Sequence, residues 1–391
     1  MKRNTVRGLA LTAALGAGVA VAVVSAGSAQ AAGVHPYQST VYVSTTGVGT
    51  SVDTSCATAG FNSIQTAANW VLPGGTVVVC GGTYNGNVTL LKKMTIWGQN
   101  GATLNAHGFA YGIGVGASGT TIKGMTVKNA DGGGAQGPND GIVTAAFTSH
   151  GPVWADNVMI TGNVVTGNAG SGIDLNSTQH SLAQGNVATY NGVGINVADD
   201  LGRLALYNTV DNNVTDLNGG GCGIALASHT GAGVAGTRVT NNRSDQNGLQ
   251  TPTAPDASAG SGVILASPVP NGRVSGNLIS GNEFDQNGHG GVVVHAHAPG
   301  ANFTGNVISA NRVKVNNVRS DEQDTQFTGI YIGSASPLTI TVKDNNIGPG
   351  LGALDAGEAD YYGIFTAGPV TLIGDNTFNG TTKDVGSVPT F

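Results

Sequence analysis

A unit built around Gly-Ile and Asn recurs along most of this chain, and it leaves few folds open. One half reads Gly172-Ile173-Asp174-Leu175. It returns as Gly141-Ile142-Val143, Gly194-Ile195-Asn196-Val197, Gly223-Ile224-Ala225-Leu226, Gly262-Val263-Ile264-Leu265, Gly291-Val292-Val293-Val294, Gly329-Ile330-Tyr331-Ile332 and Gly363-Ile364-Phe365. The other half, Ile160-Thr161-Gly162-Asn163-Val164-Val165-Thr166-Gly167-Asn168, returns around Asn186, Asn213, Asn242, Asn282 and Asn311, and degenerates at Asn345 and Asn376. Each half is too short for a helix, alternates with period two and is rich in β-branched residues, so each reads as strand. The tightest coil, Thr178 to Asp199, fits three short strands and three bends. Stacked coils set each strand beside its own copy, about 4.8 Å away. The expectation is an all-β chain: a right-handed parallel β-helix, a three-sheet solenoid.

The recurring Asn residues have a structural reading. A bend between strands needs a left-handed backbone, which Asn and Gly tolerate best. Stacked amides also hydrogen-bond from coil to coil. Asn163, Asn186, Asn213, Asn242, Asn282 and Asn311 are expected to form one ladder, and Asn168, Asn191, Asn218, Asn247, Asn287 and Asn316 a second.

The ends of the chain differ from its middle. Lys2, Arg3 and Arg7, then an apolar run from Leu9 to Val24 and Ala29-Gln30-Ala31, form a secretory signal pattern. Residues 1–31 are therefore expected to be removed, leaving 32–391 as a single β-helix domain in a secreted, extracellular protein with no membrane association. Phe61 to Trp70 is amphipathic and reads as a short N-terminal capping helix, which a solenoid needs over its open core. Cys56 and Cys80 flank this cap unit and are expected to pair, since export permits disulfides; Cys222 lies in a strand and reads as a buried free thiol. A capped solenoid needs no partner, so a monomer is expected. The chain has 16 basic and 22 acidic residues. That balance argues against nucleic acid or an anionic membrane as partner.

The phrase Val79-Cys80-Gly81-Gly82-Thr83-Tyr84 and the Asn-Gly-x-Gly-Ile coils resemble the pectate-lyase-like superfamily of right-handed parallel β-helices. The resemblance runs from about Thr40 to Phe378. It implies the fold, and a polysaccharide partner only in outline, because the superfamily hosts lyases, hydrolases, epimerases and non-catalytic surface proteins.

Variable segments flank the Gly-Ile strands: Leu249 to Gly260, Val318 to Phe327 and Gly350 to Tyr361 before them, Leu201 to Leu206 and Thr230 to Ala235 after them. Such loops frame a groove. Counting outward from each inward Ile gives a column Val143, Asp174, Asn196, Ala225, Ile264, Val293, Tyr331 and Phe365. Two residues on come Asn176, Ala198, Ala227, Ala266 and His295; two further on, Thr178, Asp200, His229, Pro268 and His297. Asp200 and His229 share an offset in adjacent coils, so Asp200 is expected to orient His229 as a general acid or base, with Asp174 as a second carboxylate. Asn176, Asn196, His295, His297, Tyr331 and Phe365 are candidate substrate-binding residues, the two aromatics by stacking on sugar rings. The competing reading makes His229 a turn cap and Asp200 a solvated turn residue.

Other clusters carry weaker signals. His289, His295 and His297 have metal-ligand chemistry without a ligand spacing, so no metal is assigned. Asp321-Glu322-Gln323-Asp324 is a candidate Ca²⁺ loop, the ion serving as a bridge to a polyanion. A column of Asp216, Asp245, Asp285 and Lys314 beside Arg243, Glu283 and Arg312 reads as a surface salt ladder. Polygalacturonase-like hydrolases carry Asn-Thr-Asp, Asp-Asp, Gly-His-Gly and Arg-Ile-Lys. The look-alikes here, Asn139-Asp140, Asp199-Asp200, Gly288-His289-Gly290 and Arg312-Val313-Lys314, stand too far apart in sequence to be read as one site. Mannuronan epimerases of similar repeat style carry Asp-Pro-His, which is absent. The leading expectation is a secreted carbohydrate-active enzyme that cleaves an extracellular polysaccharide, as a lyase or a hydrolase. A non-catalytic binding or scaffold protein stands as the alternative, with a uronate epimerase behind both.

Overall fold

The structure, a computed structural model, describes residues 37–47, 53–134, 137–249, 260–318, 328–348 and 362–389. The signal pattern and the segments 250–259, 319–327 and 349–361, with the Asp321-Glu322-Gln323-Asp324 loop, lie outside the described residues.

The strands stack as the repeat requires, into a right-handed parallel β-helix. One sheet of 11 strands carries every Gly-Ile copy, and a second of 12 strands runs from Thr40–Val43 to Val370–Ile373. The third face consists of two five-stranded sheets, bridged at Val214. Register in the first sheet is strictly coil on coil: Val143 pairs with Asp174, Asp174 with Asn196, Asn196 with Ala225, Ala225 with Ile264, Ile264 with Val293, Val293 with Tyr331 and Tyr331 with Phe365. A short fourth face, the strands Ala205–Leu206, Val234–Ala235 and Val274–Ser275, widens the middle coils. An antiparallel hairpin, Ala145–Thr148 with Gly151–Trp154, leaves the stack beside the first sheet.

The core is a single file of Val, Ile, Leu and Ala. Ile142, Ile173, Ile195, Ile224, Val263, Val292 and Ile330 are fully buried in it. Both Asn ladders form. In the first, each amide nitrogen donates to the next coil's amide oxygen, at 3.0 Å from Asn163 to Asn186 and 3.0 Å from Asn213 to Asn242, and the run continues to Asn376. The second runs from Asn168 to Asn316. A third column, Ser181, Asn208, Thr237, Asn277 and Asn306, was not legible as a ladder because Ser and Thr interrupt it.

The capping helix is shorter than its amphipathic pattern, Ile64–Trp70, because Ser63 caps it by accepting from the Thr66 N–H. Cys56 and Cys80 form a disulfide beside it. The Tyr84 hydroxyl joins the carbonyls of Val43 and Cys80, at 3.0 and 2.9 Å, tying cap to first coil. Cys222 is a buried thiol against the Ser261 hydroxyl. Among the described residues, no helix is long and apolar enough to cross a membrane.

Candidate active-site groove

Strict alternation fails at one point, and the groove is built there. Glycine precedes each inward Ile, and it faces inward as well. A Cβ on Gly141 would lie 2.3 Å from the Val165 Cγ1 and 2.6 Å from the Gly172 carbonyl oxygen. A Cβ on Gly112 would meet the Val127 Cγ1 at 2.4 Å. Two consecutive residues therefore point into the coil, and the residue before the glycine turns out to the same face as the residue after the isoleucine. This adds Asp140 and Ser171 to a face already holding Asp174, Asn176 and Asn196.

Asp140, Asp174 and Asp200 come from three successive coils and line one groove of about 540 Å³, together with Ser171, Asn176, Asn196, Phe147 and Leu201. Asp140 and Asp174 form its floor, 3% and 4% exposed. The Ser171 N–H donates to the Asp140 Oδ1 at 2.7 Å. Asp174 accepts from the Asn176 Nδ2 at 2.9 Å and the Asn196 Nδ2 at 3.0 Å. The Asn176 amide also donates to the Asp200 Oδ2 at 3.2 Å, so one NH₂ holds these two carboxyls within two hydrogen-bond lengths of each other. Burial first, then the Asp200 charge, pushes Asp174 up to about 7, against the pull of its two amide donors. Burial likewise holds Asp140 well above the usual carboxylate range, and the Asp174 charge beside it adds to the effect.

Asp200 and His229 do meet: the His229 Nδ1 lies 2.5 Å from the Asp200 Oδ1. That hydrogen bond raises the imidazole pKa more than burial lowers it, and the charges of Asp200, Asp199 and Asp174 raise it further. The protonated imidazole is thus favoured over its ordinary state. The contact fixes the two side chains relative to each other, as the shared offset in adjacent coils required.

Asp199, next to this pair, is fully buried and accepts four hydrogen bonds. They come from the Ser228 hydroxyl at 2.9 Å and the N–H groups of His229, Thr230 and Gly233 at 2.6, 3.1 and 2.6 Å. Burial would raise its pKa, but the four donors outweigh it and the group is held below the usual range. Its carboxylate is the knot of the 228–233 loop that carries His229. The Asp200 loop is tied separately, by Arg203 to Asp156 through two bonds of 3.0 and 2.7 Å and by Leu201 N–H to the Ser177 hydroxyl at 3.1 Å.

The other candidates fall elsewhere. His295 and His297 stack at 4.4 Å, two coils beyond His229 and so about 10 Å along the axis. Burial, then His297 and His289, holds His295 well below its ordinary value, so it is neutral. No cluster of three or more metal-ligating side chains is set to hold an ion among the described residues. Tyr331 and Phe365 are 3% and 5% exposed. They pack with Val293 and Ala367 in a second apolar cluster on the outside of the sheet, so neither presents an open face for a sugar ring. The aromatic beside the carboxylates is Phe147, on the hairpin, tilted against Tyr111 at 5.8 Å.

Asp216, Asp245 and Asp285 form the salt ladder on the third face. Arg243 pairs with Asp216 and reaches Asp245 at 3.5 Å, while Lys314 pairs with Glu283 and reaches Asp285 at 3.7 Å. Burial and the neighbouring Asp216 raise Asp245 to about 7.

Sequence distance misled in one respect. Asp140 and Asp200 are 60 positions apart in numbering but only two coils apart in space, about 10 Å. Asp140 and Asp200, the second residues of those two look-alikes, thus line one groove. His289 leads into a strand three coils past the one before Asp200, and Arg312 and Lys314 lie on another face.

No family model matches the chain, and no curated protein matches it. Solved structures do. The Agl-KA catalytic domain superposes with a TM-score of 0.51 at 14% identity, over 81% of this chain and 63% of that one, so this chain spans less than two thirds of its length. Pectate lyase Pel9A gives 0.47 at 13%, over 90% and 79%. The mannuronan C-5 epimerase AlgE4 A-module of Azotobacter vinelandii gives 0.47 at 17%, over 84% and 93%. At such identities the likeness is one of fold, and the fold is the right-handed parallel β-helix that the chain's own sheets describe.

Proposed function

We propose that this chain is a glycoside hydrolase acting on an extracellular polysaccharide. The observation that carries the reading is the convergence of Asp140, Asp174 and Asp200 in one open groove, with Asp174 raised to about 7 and Asp200 paired with His229. Two carboxyls in different protonation states beside one scissile bond are what glycoside hydrolysis requires. In this scheme Asp174, kept protonated by its buried setting next to Asp140, gives its proton to the glycosidic oxygen as the bond to the anomeric carbon breaks. Asp200 takes a proton from the water that attacks that carbon, and the His229 ring fixes its orientation. Asn176 spaces the two carboxyls; Asn196 helps to hold Asp174.

β-Elimination and epimerisation fit less well. Both remove a proton next to a uronate carboxylate and need a cation to stabilise the resulting charge. Among the described residues that line the groove there is no Lys or Arg.

The test is a polysaccharide panel read for reducing ends and for the ultraviolet absorbance of unsaturated uronic ends. Hydrolysis gives the first without the second. Asp174→Asn and Asp200→Asn should each lower the rate by about 10²–10⁴-fold with unchanged circular dichroism. Both signals rising together would point to a lyase, and silence across the panel to a binding or scaffold protein.

A further inference from the structure

Three carboxyls line this groove and, among the described residues that line it, there is no Lys or Arg. Its polar lining is Asp140, Asp174, Asp200, Asn176, Asn196 and Ser171. Arg203, in the loop that carries Leu201, is committed to Asp156 through Nη1 and Nη2. His229 is spent on Asp200. Arg312 and Lys314, the cations that a polygalacturonase-like motif would supply, lie on the third face with Glu283 and Asp285. A uronate carboxylate entering here would lose its water and meet other carboxyls with no counter-charge. Burying an unpaired charge in this way is heavily penalised. Burial first, then the neighbouring carboxylate charge, already raises Asp174 to about 7 and holds Asp140 above the usual carboxylate range, so a further negative charge is disfavoured here. Phe147 and Leu201 add an apolar part to the lining, which suits the C–H face of a neutral sugar ring.

We infer that the groove takes an uncharged polysaccharide and rejects polyuronates, the Asp140–Asp174–Asp200 row acting as the charge filter and Phe147 as the ring platform. This rests on the hydrolase reading for its consequence, but it is a statement about binding and can fail separately.

The experiment compares polymers that share a backbone and differ in charge: polygalacturonate and alginate, each beside its carboxyl-reduced counterpart, with neutral α- and β-linked glucans alongside. Binding to the full-length protein is read by affinity electrophoresis at neutral pH, at low and high salt, and cleavage by reducing ends. At least one neutral polymer should bind. Each reduced polymer that binds should do so at least about tenfold more tightly than its uronate parent at low salt, with the gap narrowing as salt screens it. Phe147→Ala should weaken the neutral polymer's binding about fivefold or more, in the range of one lost ring contact. A uronate bound as tightly as its reduced form, or no neutral polymer bound at all, overturns the inference. Uronate cleavage without unsaturated ends would overturn it and leave the hydrolase reading intact. Selective neutral binding with no cleavage anywhere would sink the hydrolase reading and leave the filter standing.

Discussion

At Asp174 the same physical chemistry sets activity and stability. Burial and the Asp200 charge favour its protonated form, and the Asn176 and Asn196 amides favour its ionised form. A general acid must be protonated, so the rate should fall as pH rises through about 7. Asn196→Leu removes one donor to the ionised carboxylate, so the pKa rises and this alkaline limb should move upward in a pH–rate profile. The stability effect has a definite sign. A carboxyl whose folded pKa is raised binds its proton more tightly when folded, so its contribution is fully present below the unfolded value near 4 and is lost as pH climbs to about 7. That loss amounts to about 4 kcal/mol. Thermal unfolding should therefore show the wild type less stable at pH 8 than at pH 5, and Asp174→Asn should flatten that slope while lowering turnover. Asp199 is the contrasting case, a carboxylate with four donors and a positioning task. Asp199→Asn keeps the shape but turns a donor toward donors, so the His229 loop should shift and the pH–rate profile with it, while circular dichroism stays unchanged. An identical pH profile would show that Asp199 merely closes a turn. The sequence placed Asp200, His229 and Asp174 on one face correctly by counting from the inward Ile. It lost Asp140 to the same counting, because Gly141 also turns inward and breaks the alternation.

The elements owe their register to Asn and Gly, and the two residues do different work. A ladder Asn satisfies four backbone or amide groups at once. The Asn213 Nδ2 donates to the Ala183 carbonyl at 2.9 Å and the Asn242 Oδ1 at 3.0 Å, while its own Oδ1 accepts from the Asn186 N–H at 2.9 Å and Nδ2 at 3.0 Å. Removing it strands buried polar groups at about 1–3 kcal/mol each. Asn213→Ala should thus lower the unfolding temperature more than Asn376→Ala, since Asn376 is the last rung and part-exposed. Gly141 is required for a different reason: Gly141→Ala forces a methyl group against Val165 and the Gly172 carbonyl, and overpacking of this kind costs about 1–3 kcal/mol. The strands and two of the ladders were legible because both reduce to a period that the eye can follow in sequence. The Ala145–Trp154 hairpin was not, because it interrupts the period once and has no second copy to compare with. With it went Phe147, the aromatic nearest the carboxylates. Tyr331 and Phe365 looked like the stacking residues because alternation gives the side of the sheet, not what lies on top of it, and here that is apolar packing.

Along the whole molecule, a solenoid behaves as a one-dimensional stack whose stability is summed over coils and their interfaces, so its two ends decide where opening begins. The N-terminal end is closed: the Ile64–Trp70 helix covers the core, Tyr84 bonds back to Val43, and the Cys56–Cys80 bridge spans 24 residues. The described C-terminal end is not closed in this way. Its last strand, Lys383–Val388, pairs on one side only, and Ile373, Val385 and Val388 are 52%, 52% and 39% exposed. Amide hydrogen exchange should accordingly be fastest in the strands from Tyr362–Ala367 onward and slowest in the ladder-bearing coils between Ser171 and Asp285. Fraying should run from the C-terminal end toward the groove. Reducing the disulfide removes about 3 kcal/mol of restraint on the unfolded chain, and exchange should then accelerate around Thr76–Val79 and Gly82–Asn85, leaving the coils of Asp140, Asp174 and Asp200 as protected as before. Cooperative loss of protection through the groove on reduction would mean that the stack unfolds as one unit, and that the cap holds the candidate site together from about a hundred residues away.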